Sequence, residues 1–205
     1  MDELKELVEK IIKREFPNAI EEFSEENKKF IIEYSINKNP STTDALKESK
    51  SDIDSETEYY KKYPKVKELK SLLQDGYNRF RSLQKRDPKA FDNEFSNFLN
   101  WWYDQESKCY YCSVASSTVE DAFDCSHGEP LIFSEKPSFS GKLQIDKKTP
   151  ENGYNEKNCV FACVLCNNAK SDMISEEDFK KFIAPAFSDY WKEIEKRLKG
   201  DKGGI

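Results

Sequence analysis

The chain has 205 residues, enough for one moderate domain or for a small domain with a helical extension. Charged residues make up 35% and hydrophobic ones 37%, but 14 Phe, 10 Tyr and 3 Trp supply mass for a core, which excludes wholesale disorder. A net charge of -6 excludes a protein built to coat nucleic acid indiscriminately.

No stretch is apolar enough to cross a bilayer, so no membrane partner is expected. The start, MDELKELVEKIIKREF, lacks a basic leader and a small-residue cleavage site, which makes a cytoplasmic protein the expectation.

Leu4, Leu7, Val8, Ile11 and Ile12 recur at helical spacing until Pro17 stops the pattern. Ser24 before Glu-Glu-Asn predicts a capped second helix carrying Phe30, Ile31, Ile32 and Tyr34. Residues 38–58 are rich in Ser, Thr, Asp and Lys and predict a short helix and loops. Val66, Leu69, Leu72 and Leu73 mark a helix after Pro64, interrupted at Gly76 and resumed through Tyr77, Phe80 and Leu83. Asp87-Pro88 predicts a helix start, and the helix presents Phe91, Phe95, Phe98, Leu99 and Trp102. At helical spacing those rings read as core rather than as a platform for bases. Residues 61–90 hold 10 Lys/Arg against 3 Asp/Glu, either a phosphate-facing stripe or a solvated helix face.

At Lys108 helical periodicity gives way to Cys, Ser, Gly and Pro. Leu143 to Asp146 predicts a short strand, residues 150–153 a loop, and Val160 to Ala162 a second strand. CNNAKSD predicts a short helix. Ser175 before Glu-Glu-Asp launches another, which Pro185 ends, and a last helix runs from Ser188 to about Leu198 before a frayed tail.

All six cysteines fall between residues 109 and 166. Cys109 and Cys112, and Cys163 and Cys166, form two Cys-x-x-Cys pairs. That spacing favours a tetrahedral zinc site, with three disulfides as the opposing reading. Cys125 and Cys159 are left over, and Cys159 reads as a buried thiol. Four thiolates close the shell of a zinc ion, so such an ion is structural and any catalysis needs other groups. Asp146, ending a strand, and Asn167, directly after the fourth cysteine, offer hard oxygen ligands suited to Mg²⁺ or Mn²⁺.

The ordered set CYYC, then LQIDKKTPENGYNEKNCVFACVLCNNAKSD, resembles the HNH, or ββα-metal, nuclease family in its form stapled by four cysteines. The likeness spans about residues 109–172. It implies that Asp146 and Asn167 are ligands of a catalytic divalent ion. It implies that Asn158 is the asparagine whose amide ties the loop to the hairpin. Lys170 matches a basic residue near a phosphate, and Lys147 and Lys148 are further nucleic-acid-binding candidates. The family's general base is a histidine just after the strand-end aspartate, where this chain has Lys147. An ordinary lysine is a cation at neutral pH, so Lys147 suits a phosphate clamp better than a base. His127, the one histidine, is the candidate replacement base, with a loop histidine as the bland alternative.

The expected fold class is α+β: a helical region, residues 1–105, packed on a zinc-stapled HNH-like ββα nuclease domain with C-terminal helices, residues 106–205. The expected function is a metal-dependent endonuclease acting on DNA ahead of RNA, in a setting such as restriction or phage defence, with a protein partner to select the target. The rival is a non-catalytic zinc module that binds nucleic acid or protein.

Overall fold

A computed structural model describes residues 2–37, 60–124 and 141–201. The expected helix and loops of residues 38–58, His127, Cys125 and the last four residues lie outside these. The chain divides into two compact units, Met1–Tyr103 and Asp104–Ile205.

The first unit is helical. Helix α1 (Asp2–Glu15) buries Leu4, Leu7, Val8, Ile11 and Ile12, the stripe its period predicts. Helix α2 (Glu25–Asn37) buries Ile31 and Ile32, and the Ser24 hydroxyl caps it by accepting from Asn27 N at 3.2 Å. Helix α3 (Pro64–Gln84) opens on its proline and buries Val66, Leu69, Leu73, Phe80 and Leu83.

Gly76 does not interrupt α3, contrary to the expectation from sequence. The helix continues through it, and the residue is glycine because a Cβ there would overlap the Trp102 ring. Asp87-Pro88 likewise starts only a turn. Asp87 Oδ1 accepts from Lys89 N at 3.0 Å, and the helix α4 (Phe95–Asp104) begins later. In between, Phe91, Asp92 and Asn93 all take left-handed backbone angles, a costly run for residues with a Cβ. It places the buried Phe91 ring edge-on to Phe98 and 5.0 Å from Trp101.

The second unit holds helix α5 (Ser116–Phe123), absent from the sequence expectation because eight polar-leaning residues carry too little periodicity. The strands β1 (Gln144–Lys147) and β2 (Cys159–Ala162) pair antiparallel, with Asp146 opposite Val160 and Lys147 opposite Cys159. Helix α6 (Val164–Lys170) follows at once, completing a ββα unit. Helix α7 (Glu176–Asp178) is capped by Ser175, whose hydroxyl accepts from Asp178 N at 3.1 Å. Pro185 does not end this helix as expected. A π turn, Phe179–Ile183, leads directly into α8 (Ala184–Asp201), and Pro185 sits in the first turn of α8. The widened turn accommodates the missing proline N–H. The core of this unit gathers the four paired cysteines with Tyr111, Val119, Phe179, Trp191 and Ile194. The architecture is α+β, as the sequence predicts. Among the described residues no helix is long and apolar enough to cross a membrane.

Candidate metal centre and active site

The two Cys-x-x-Cys pairs meet. Cys109 sits at the mouth of a tight turn: its N–H donates to Val114 O at 2.8 Å and its carbonyl accepts from Ser113 N at 2.9 Å. Ser113 takes a left-handed angle to close this knuckle. Tyr110 N donates to Phe161 O at 2.8 Å and ties the knuckle to β2. The second pair caps α6, with Cys163 Sγ accepting from Cys166 N at 3.5 Å. All four Sγ atoms are buried and lie within 4.8 Å of one another, and those of Cys112 and Cys163 are 3.7 Å apart. An ion bound tetrahedrally at about 2.3 Å spaces its thiolates about 3.8 Å apart, so the cluster fits one metal ion. The described cysteines are all free, against the disulfide reading.

Cys159 is also buried, on the strand beside Lys147, and burial pushes its thiol up to about 12.

The residues between the pairs form a second constellation. Asn158 is buried and works as a strut. Its amide nitrogen donates to Thr149 O at 2.7 Å and to Gly153 O at 2.8 Å, and its oxygen accepts from Thr149 N at 3.0 Å. Those bonds close the loop between the strands. Gly153 takes φ 65 and ψ -172, a conformation open to glycine. Lys148 N donates to Asn158 O at 2.8 Å, which extends the same staple.

Asp146 is 8% exposed. Its Oδ2 accepts from the Tyr111 hydroxyl at 2.6 Å and lies 3.4 Å from Lys170 Nζ. Burial pushes the Asp146 carboxyl up, opposed by the Tyr111 hydrogen bond and the Lys170 charge. Burial and the same carboxylate also push the Tyr111 hydroxyl up. Asn167 Nδ2 donates to Gln144 Oε1 at 2.6 Å. Gln144 and Asp146 are two apart on β1 and share the face turned to α6. Asn167 and Lys170 are three apart on α6 and meet them in the same order. The carboxylate and carboxamide oxygens are hard donors on facing elements, a set whose chemistry fits Mg²⁺ or Mn²⁺. One oxygen of that set, Asp146 Oδ2, already has the Lys170 ammonium 3.4 Å away.

Lys147 points to the other face of the strand. Its ammonium donates to Pro150 O at 3.1 Å and lies 5.2 Å from the Tyr154 ring centre. Lys170 is wholly buried, so a role at a phosphate would require it to leave its present partners. The sequence reading missed Tyr111 and Gln144. The signals were present: Tyr111 sits inside the first Cys-x-x-Cys, and Gln144 is one strand period before Asp146. It also missed an open cleft of about 630 Å³ lined by Thr149, Ser175, Glu176, Glu177, Lys180 and Lys181. At Glu176 the Tyr110 hydroxyl donates to Oε1 at 2.6 Å, and Lys180 Nζ lies 3.5 Å from the Tyr110 ring centre.

Fold and cluster together define an α+β protein with a cysteine-stapled ββα unit. No protein-family model and no curated protein matches the chain. Among solved structures, it is similar to the rare-cutting HNH restriction endonuclease PacI, with TM-score 0.45 and 21% identity over 58% of this chain and 80% of that one.

Proposed function

We propose that the protein is an HNH-type endonuclease that hydrolyses phosphodiester bonds, with DNA ahead of RNA as substrate. One observation carries this reading: the order of parts around the cysteine cluster. Asp146 is the penultimate residue of the first strand, Asn158 ties the loop, and Asn167 follows the fourth thiolate on the helix. A bare structural finger needs none of these three placements.

The cluster of Cys109, Cys112, Cys163 and Cys166 is read as a structural zinc site, closed by four protein ligands. A Mg²⁺ or Mn²⁺ ion held by Asp146 and Asn167 would supply neutralisation of charge on a phosphodiester and its leaving oxygen. Asn158 keeps the loop after Asp146 in one shape. Of the three candidate lysines, Lys148, just beyond the strand, is assigned to orient a phosphate, because Lys147 donates to Pro150 O and Lys170 is buried. His127 remains the candidate acceptor of the attacking water's proton. The acidic balance of the chain favours a protein partner that selects the target. Tight, specific target binding by the isolated protein would remove that need.

A second reading, a non-catalytic zinc module, is favoured by the burial of Asp146 and its engagement by Tyr111 and Lys170. The deciding experiment incubates zinc-loaded protein and Mg²⁺ or Mn²⁺ with plasmid, single-stranded DNA and RNA, beside Asp146→Asn. The nuclease reading expects cleavage by the wild type and at least a hundredfold loss in the variant, with zinc retained. A wild type that cleaves nothing, or a variant that cleaves equally, favours the binding module.

A further inference from the structure

We propose that the Lys170 ammonium is an internal cation seated at Asp146, and that it competes with any divalent ion for that carboxylate. The inference rests on the reading of Asp146 as the ligand of the hydrolytic ion, and it adds how that site is regulated.

Lys170 has 0% exposure at the end of α6. An ammonium has three N–H donors, and three oxygens surround this one. Lys147 O lies at 2.8 Å, Asp146 Oδ2 at 3.4 Å and Ser171 O at 3.4 Å. One carboxylate oxygen and two carbonyl oxygens around a positive centre are also what a hard metal ion seeks. The Tyr111 ring centre, 6.0 Å from Nζ, flanks the seat, and the Tyr111 hydroxyl engages the same carboxylate oxygen as the ammonium.

The backbone turns sharply beside this seat. Ser171 takes φ 53 and ψ -155, a left-handed conformation costly for any residue with a Cβ. Its N–H still donates to Asn167 O at 3.1 Å while its carbonyl turns back to its neighbour's ammonium. A buried charge left without its partner is strongly unfavourable, so Lys170 and Asp146 hold each other in place. A divalent ion at Asp146 must therefore move the ammonium aside or tolerate a like charge beside it. The site is closed at rest and opens only to an ion strong enough, or assisted enough by a bound phosphate, to displace Lys170.

The test is Mn²⁺ binding to the zinc-loaded full chain, read from the free-ion signal in electron paramagnetic resonance. Wild type, Lys170→Met, Lys170→Arg and Asp146→Asn are compared. Lys170→Met keeps the length and removes the charge. The proposal expects it to bind Mn²⁺ at least tenfold tighter than wild type. Lys170→Arg, which keeps the charge, is expected to show no gain, and Asp146→Asn to lose the site. Equal affinity in wild type and Lys170→Met overturns the proposal, as does no binding in either. If Lys170→Met fails to retain zinc or fold, the wild type decides through the slowly exchanging Lys170 ammonium resonance. Its shift on saturation with Mg²⁺ supports displacement. An unmoved resonance, with Mg²⁺ bound or not, overturns it. Absence of cleavage alongside Lys170-dependent Mn²⁺ binding would sink the nuclease reading and leave this one standing.

Discussion

The two units stabilise cores of similar chain length by different means. In Met1–Tyr103 the centre is aromatic, with Phe98 within 6.4 Å, centroid to centroid, of Phe80, Phe91, Phe95, Trp101 and Trp102. In Asp104–Ile205 the buried set is built around four thiols, with a hairpin of only four residues per strand. A two-stranded hairpin is at best marginal in water, so on the zinc reading that unit leans on the metal its thiols would hold. The difference teaches where each unit is vulnerable: one to loss of volume, the other to loss of a ligand.

The sharpest way to break the comparison is to remove the metal. A structural zinc site contributes about 10–16 kcal/mol in small zinc-binding peptides, as much as the whole stability of a typical domain. A strong chelator, or Cys163→Ser, is expected to strip hydrogen-exchange protection from amides of the second unit and to leave α1 to α3 protected. Equal protection in both units after metal removal would show that the thiol cluster is packing rather than a staple. The converse is Phe98→Ala. Emptying the volume of a fully buried Phe costs about 3–5 kcal/mol. Denaturant unfolding should show that loss in the first unit while zinc stoichiometry stays unchanged.

Asn158→Ala sharpens the comparison inside the second unit. It removes three hydrogen bonds from the loop between the strands and leaves Thr149 and Gly153 groups without partners. A loss of about 2–3 kcal/mol is expected, read from chemical denaturation of the metal-loaded protein. If the loop is only a connector, the loss will be below 1 kcal/mol, roughly that of one exposed hydrogen bond.

What the sequence made legible follows the range of the forces involved. The stripe of α1, the Ser24 and Ser175 caps, the short strands and the meeting of the Cys-x-x-Cys pairs all come from local periodicity or fixed spacing. The engagement of Asp146 by Tyr111 and Lys170 does not, because it joins residues 35 and 24 positions apart through side-chain geometry alone. The same holds at Gly76. A glycine in a helical pattern reads as a break, since it costs about 1 kcal/mol relative to alanine. Its reason lies across the unit, in the Trp102 ring. Phe91 was legible as core but not as a left-handed turn residue, because tertiary packing overrides its local preference.

Gly76→Ala tests that point and comes next in size. The helix gains about 0.5–1 kcal/mol from alanine, and forcing a methyl into the Trp102 ring costs about 1–3 kcal/mol. A net destabilisation of about 1 kcal/mol is expected by thermal unfolding, confined to the first unit. A stabilised variant would mean that Trp102 moves away freely and that the aromatic core is less tightly packed than its ring distances indicate.

The smallest effect separates the units by pH. Glu25, at the start of α2, lies 2.7 Å from Lys5 Nζ and 2.9 Å from Lys28 Nζ. Hydrogen bonds from those two ammonium groups hold its carboxyl down at about 2. A depressed carboxyl contributes stability above its unfolded value, about 4.3, and the contribution is lost as pH falls toward the folded value. Asp146 has the opposite sign: burial raises its carboxyl, so its contribution is present at low pH and is lost as pH rises through the folded value. Glu25→Gln should therefore flatten the acid dependence of α1 and α2 protection between about pH 4 and 2 and leave the hairpin of the second unit unchanged. The group is fully exposed, so the change should be slight and should fade in high salt. An acid dependence that survives both the substitution and high salt would place the sensitivity of the first unit elsewhere, in a carboxylate less exposed than this one.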